Sequence, residues 1–285
     1  MSLSVLKDIK KIYAGLNAGE VRLAAAQELS IGLLATSEDV YRDMEDFLVP
    51  AHLDAYTRGQ ALRMVYRLDK PNKDFDFLLC EPGLGLPPNG FLFDPATYGD
   101  EALIEAIVSE SQPIELPLAR AFPVFRHAVA HKIVNRVSRE NAMLALVTAL
   151  PNMIPSFIEL PWAVGEFATD TAFLTMNQIR MALMMAAVHD RPIGYSEQKA
   201  SIAAIAGGAF GWRAIARELV GKIPLGGGLI PKAAIAYAGT WVVGTGLDKV
   251  YRTGIGLSRL EKREAWAGAI TKGREVAAEI HPGPA

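Results

Sequence analysis

The chain is almost without cysteine: Cys80 is the sole thiol in 285 residues. One thiol cannot build a disulfide framework, so the fold must hold without covalent cross-links, as suits a reducing compartment. Excess positive charge is missing too. The net charge is −2, so no global basic field directs the chain to nucleic acid. The opening MSLSVLKDIKKIYAGL lacks the apolar core and cleavage site of a secretory leader, which places the expected location on the cytoplasmic side. Histidine is scarce, with five copies. His127 and His131, four apart on a helix, have a spacing that suits zinc. No acid lies between them and no third ligand is near, so they read as a polar helix face. A GxSxG nucleophile elbow is absent, and Cys80 has no activating neighbour. These gaps lead to the expectation of no catalytic residues, no metal and no cofactor.

A phosphate-binding loop is also missing. Ile31–Ala35 (IGLLA) reads as a buried strand running into a helix at Glu38–Val49, which is how a P-loop fold begins. That fold needs GxxxxGK[ST] between the two, so that glycine amides wrap phosphate and the lysine meets the outer phosphates. Residues 35–42 are Ala-Thr-Ser-Glu-Asp-Val-Tyr-Arg, with neither glycine nor lysine. Glu38 and Asp39 stand where a helix N-terminus would attract an anion, and they repel phosphate. Asn72-Lys73-Asp74 imitates a guanine-reading NKxD but has Phe75 at the acid position, ahead of a strand. Cys80-Glu81-Pro82-Gly83 lacks the metal-linked Asp of a D-x-P-G switch. Both read as turn chemistry. Gly226–Lys232 (GGGLIPK) fails as a phosphate loop because Pro231 precedes the lysine and Ala233 follows it.

What the chain does have is apolar content, 51%, concentrated in its second half. Gly221–Leu247 is glycine-rich and contains no acid; its charges are Lys222 and Lys232. Interior glycines cost a helix about 1 kcal/mol each against alanine, so this segment suits either a membrane or a close-packed hairpin. Asn141–Ile158 is uncharged but broken by Pro151 and Pro155, and Ala233–Leu247 is slightly short for a span. Ala236, Thr240 and Gly244 recur every four residues, as do Ala203, Gly207 and Gly211, a spacing that lets helix backbones approach closely. Arg213, Arg217, Lys222 and Lys232 precede the second tract, and Lys249, Arg252, Arg259, Lys262 and Arg263 follow it. Basic flanks on both sides favour a surface-lying or re-entrant hairpin, or no insertion, over a single span, and they suit anionic headgroups. Glu159 and Asp170 are acids in or near apolar runs, functional by default only if those runs lie in lipid.

The patterning predicts a helix over 3–28 with a break near Gly15, a second strand at Phe75–Cys80, a loop at 81–90 and a helix at Asp100–Ser109. Pro113, Pro117 and Pro123 mark a connector. Helices are expected at 125–149, 165–189, 196–218 and 231–270. The second of these carries Phe173, Met176, Ile179, Met184 and Val188, most simply core.

Asn141-Ala142 with Ala149-Leu150-Pro151, Asp170-Thr171, Asn177-Gln178-Ile179-Arg180-Met181, Gly208-Ala209-Phe210-Gly211-Trp212-Arg213, Ala216–Gly221, Ile223-Pro224 and Lys232–Thr240 form one long pattern. Over roughly residues 120–255 it resembles the helical domain of unknown function that follows the G domain of bacterial Era-like GTPases and also occurs in inner-membrane proteins. The resemblance implies a helical, membrane-linked module. Because the P-loop positions are lost, it does not carry nucleotide hydrolysis with it.

The expectation is thus a mainly α chain: a small α/β region at 1–120, a decayed P-loop-like G-domain remnant, followed by an all-helical apolar bundle or hairpin domain at 121–285. Its expected role is that of a non-catalytic scaffold or adaptor on the cytoplasmic face of the inner membrane, peripheral or monotopic. The expected contact is with a membrane surface or an apolar partner helix, with a homo-oligomer as a further option and nucleic acid excluded. Candidate contact residues are Trp212, Arg213, Arg217, Gly226, Gly227, Gly228, Lys232 and Trp241, with Gly211 and Gly239 as structural positions. Arg213 and Arg217 would meet lipid phosphates or an acidic helix, or else pair with Glu218 or Asp170. The competing classes are a nucleotide hydrolase with an atypical site and a multi-span transport component.

Overall fold

A computed structural model describes residues 18–72, 74–147, 170–205 and 229–280. The chain is mainly helical, with one small parallel sheet in its N-terminal region. It divides into two compact units. One holds Gly19–Ala130 with Ala186–Pro192; the other holds the described residues of His131–Met185 and Ile193–Ala285.

In the first unit, α1 (Ala18–Ala25) leads to β1 (Ile31–Leu34), α2 (Glu38–Leu48), α3 (Ala55–Leu62) and β2 (Val65–Leu68). Then come β3 (Phe77–Cys80), β4 (Gly90–Leu92), α4 (Pro95–Glu110), α5 (Glu115–Ala121) and a 3₁₀ turn at Pro123–Phe125. The strand order is β2-β1-β3-β4, all parallel. Ile31 pairs with Val65 on one side and Phe77 on the other, and Leu34 with Leu68 and Cys80. Both β1 and β3 are buried at every position, as expected for central parallel strands, which read as continuous apolar runs.

The pleat sends alternate side chains to opposite faces. On one face Leu34, Leu78 and Cys80 cluster with Leu68 and Phe75. The backbone of Gly32 lies there too, and a Cβ on it would sit 2.6 Å from Leu68 Cδ1. That crowding accounts for a glycine inside a strand. On the other face Phe77 meets Phe91 and Phe125 edge-on, and Phe125 in turn meets Phe47 of α2. Such edge-to-face pairs add about 0.5–1.5 kcal/mol each beyond burial. Met44, Phe47 and Leu48 are the buried stripe of α2.

Caps set the helix starts. Ser37 accepts from Val40 N–H at 3.3 Å, and Asp54 accepts from Tyr56 and Thr57, satisfying amides that have no partner inside the helix. Asp94 caps α4, and Pro95 occupies its first turn. The helix expected at 100–109 thus starts earlier, with a kink at Gly99 (φ 73°), a backbone angle open to glycine.

The second unit is built from α6 (Arg126–Val147, from His131 onward), α7 (Asp170–Val188, to Met185), α8 (Leu229–Thr253) and α9 (Arg259–Ile280). Its core joins Ala142 and Leu146 of α6, Ala233, Tyr237 and Ala238 of α8, and Ala269, Val276 and Ala277 of α9. The single helix expected over 231–270 is corrected to two. Gly254 takes φ 76°, a left-handed stop, and α9 folds back along α8, with Gly273 against Ala234 and Tyr237 near one end and Lys249 bonded to Glu261 near the other. No proline marks the break, so the apolar pattern runs through it. The small-residue face of α8 is buried as expected: a Cβ on Gly244 would lie 2.5 Å from Val134 Cγ2. Among the described residues, no helix is long and apolar enough to cross a membrane.

Candidate functional site

In an open parallel sheet, ligands bind beyond the carboxyl ends of the strands, where neighbouring strands connect in opposite directions. Here that place lies between β1 and β3, since the chain leaves β1 for β2 on one side and returns to β3 on the other. The turn after β1 is already occupied. Glu81, just past β3, accepts from Thr36 N–H at 2.6 Å and from Thr36 Oγ1 at 2.8 Å. A carboxylate of the protein therefore holds the amide that a phosphate would use. Glu38 and Asp39 open α2 immediately afterwards. Glu38 pairs with Arg67 at 2.7 Å and Arg42 at 3.4 Å, while Arg67 also bonds Glu45 and lies over the Tyr41 ring. Those two carboxylates, Glu45 first, hold the Arg67 guanidinium pKa above its ordinary value. Arg42 and Arg67 are thus engaged by acids.

The two nucleotide-like fragments are turns. Asn72 Oδ1 accepts from Asp74 N–H at 3.0 Å, an Asx turn. After Cys80, Gly83 and Gly85 take positive φ. Cys80 itself is fully buried, and desolvation pushes its thiol pKa up, away from the thiolate a nucleophile needs. His127 and His131 are both exposed on α6, and the His131 ring packs edge-on to Trp241 at 5.1 Å. No group of three or more His, Cys, Asp or Glu could hold a metal among the described residues.

The helical unit has a polar centre that pattern reading did not assemble. Asn141 of α6 donates to Thr240 Oγ1 of α8 at 2.8 Å, and Gln178 of α7 donates to the same oxygen at 3.1 Å. Thr240 Oγ1 in turn donates a hydrogen bond to Ala236 O. Asn177 donates to Asn141 Oδ1 at 3.0 Å and to Glu140 at 2.9 Å, and Arg180 pairs with Glu140 at 3.6 Å. Asn141, Asn177, Gln178 and Thr240 are all buried. A satisfied network of this kind fixes which helix faces meet, whereas a broken one is costly. All four stand in the sequence pattern quoted above. Each residue was visible in its own helix, but only the fold brings the three helices together.

Of the sequence-named contact residues, Trp212, Arg213, Arg217, Gly226, Gly227 and Gly228 lie outside the described residues, as do Gly211, Glu218 and Glu159. Lys232 is half-buried at the start of α8. Trp241 is half-buried too, stacked on Tyr237 with ring centroids 5.9 Å apart. Tyr237 donates to Asn135 at 2.8 Å, and burial pushes its phenol up to about 12. Gly239 lies within α8. Ala203 is exposed, while Gly207 lies outside the described residues.

Set against protein-family models, curated proteins and solved structures, the chain matches none of them.

Proposed function

We propose that this protein is a non-catalytic scaffold or adaptor that works by contact at a membrane surface, on the cytoplasmic side of the inner membrane. The observation that carries the reading is the Glu81 carboxylate seated on Thr36, at the place where a parallel sheet would receive a phosphate. A phosphate brought there would have to displace a charge-assisted hydrogen bond and then face acidic neighbours. The α/β unit on this reading is a G-domain remnant kept as a frame. The membrane half of the reading is supported by the apolar, glycine-rich second half, by its basic flanks, and by the resemblance of residues 120–255 to a helical domain found in inner-membrane proteins.

The nucleotide half is tested by titrating the full chain with fluorescent GTP and ATP analogues in magnesium. We expect no saturable binding. Micromolar binding that is abolished by altering residues 36–42 would overturn it in favour of a hydrolase with an atypical site.

A further inference from the structure

We propose that the apex of the α8–α9 hairpin docks on an anionic phospholipid surface, with Ile255 and Leu260 entering the bilayer interface and Arg259, Lys262 and Arg263 engaging headgroup phosphates. This rests on the membrane reading above and names the surface that would serve it.

The apex is a built structure. Thr253 Oγ1 donates to Lys249 O at 2.8 Å and accepts from Ile255 N–H at 3.2 Å, while Gly254 N–H bonds Val250 O at 2.8 Å. On the far side Ser258 and Glu261 cap each other: Ser258 N–H donates to Glu261 Oε2 at 2.8 Å and Glu261 N–H to Ser258 Oγ at 3.3 Å. That is a capping box. Lys249 then ties Glu261 back to α8 at 2.5 Å. The turn is thus held by side chains from both helices.

What it displays runs against simple stability. Ile255 is 69% exposed, Leu260 64% and Val250 38%. Beside them Arg252, Arg259, Lys262 and Arg263 are all exposed. Three of these cations, Arg259, Lys262 and Arg263, crowd the opening of α9, where the helix dipole disfavours positive charge. Nearby acids are largely spent within the protein: Glu261 on Lys249 and on the cap, and buried Asp248 on Arg252 at 3.6 Å. Glu264 is the exposed acid at this end. From 248 to 264 the sequence has five basic residues and three acidic, in a chain whose net charge is −2. Apolar side chains at a rigid hairpin tip with cations around them match a headgroup layer, which offers phosphates above an apolar interior. Each basic residue near an anionic surface is worth roughly fivefold in affinity.

The test uses the full chain, sedimented with vesicles of phosphatidylcholine alone and of phosphatidylcholine mixed with phosphatidylglycerol, at low and high salt. We expect binding to the mixed vesicles that weakens with salt. Ile255→Asp with Leu260→Asp should cut it about tenfold or more, and Arg259→Glu with Arg263→Glu similarly. All four positions are exposed, and circular dichroism checks that the variants fold. If the unaltered protein binds mixed vesicles and the variants bind equally well, the apex is not the docking surface although the membrane reading stands. If the unaltered protein binds neither vesicle, both fall. Equal binding to neutral vesicles would also overturn the proposal.

Discussion

At the scale of single residues, burial and hydrogen bonding set the chemistry. Cys80 is fully enclosed and its pKa is raised by desolvation. We expect it to resist thiol reagents such as dithionitrobenzoate in the native protein and to react at once after denaturation. Fast labelling of the folded chain would contradict the burial. Glu261 shows the opposite shift. The Lys249 ammonium, then the Ser258 amide and hydroxyl, pull its carboxyl from 4.5 down to about 2. Because the folded value lies below the ordinary one, ionised Glu261 favours the folded apex above the ordinary carboxylate range. That support is lost as pH falls from about 4.5 toward 2. Carboxyl carbon-13 shifts should place its midpoint near the lower value; a midpoint at the ordinary value would contradict the capping box. Asn141→Ala removes the acceptor of one Asn177 N–H, while Thr240 Oγ1 keeps its bond from Gln178. The substitution should cost about 1–3 kcal/mol per group left unsatisfied in urea unfolding, more than a surface Asn→Ala.

At the scale of elements, two glycines in α9 predict opposite outcomes. A Cβ on Gly273 would lie 2.8 Å from the Ala234 carbonyl oxygen and 3.0 Å from its Cα. The neighbour is backbone and cannot step aside, so Gly273→Ala should destabilise by about 1–3 kcal/mol. Gly268 has nothing within 4 Å, so Gly268→Ala should stabilise by about 0.5–1 kcal/mol through helix propensity alone. Urea midpoints for both variants check the packing of α9 on α8, and equal effects would refute it.

These same elements show how far the sequence could be read. β1 and β3 were legible because central parallel strands are unbroken apolar runs. β2 was not, since Tyr66 and Arg67 are exposed on an edge strand and Arg67 answers to Glu38 and Glu45. β4 is only three residues long and follows two prolines. The division of α8 from α9 had a signal that hydrophobic periodicity overrode: Ser258 and Glu261 at capping-box spacing behind Gly254 and Gly256. The polar centre of the helical unit was legible residue by residue and illegible as a site. Asn141, Gln178 and Thr240 meet only across three helices, and local pattern carries no information on that meeting.

At the scale of the whole molecule, the chain divides into an α/β unit and a helical one. In the first, Glu81 completes the carboxyl edge of the sheet from within. In the second, a buried hydrogen-bonded centre fixes the helices, and a capped hairpin carries its greasy residues and cations outward. On the proposed reading, this arrangement serves contact rather than turnover of a triphosphate. The most direct measurement is flotation of the full chain with phosphatidylglycerol-containing vesicles in a density gradient, run with and without GTP and magnesium. We expect the protein to float with the vesicles to the same extent in both runs. Protein left at the bottom of the gradient, or flotation that appears only when nucleotide is present, would contradict the proposal.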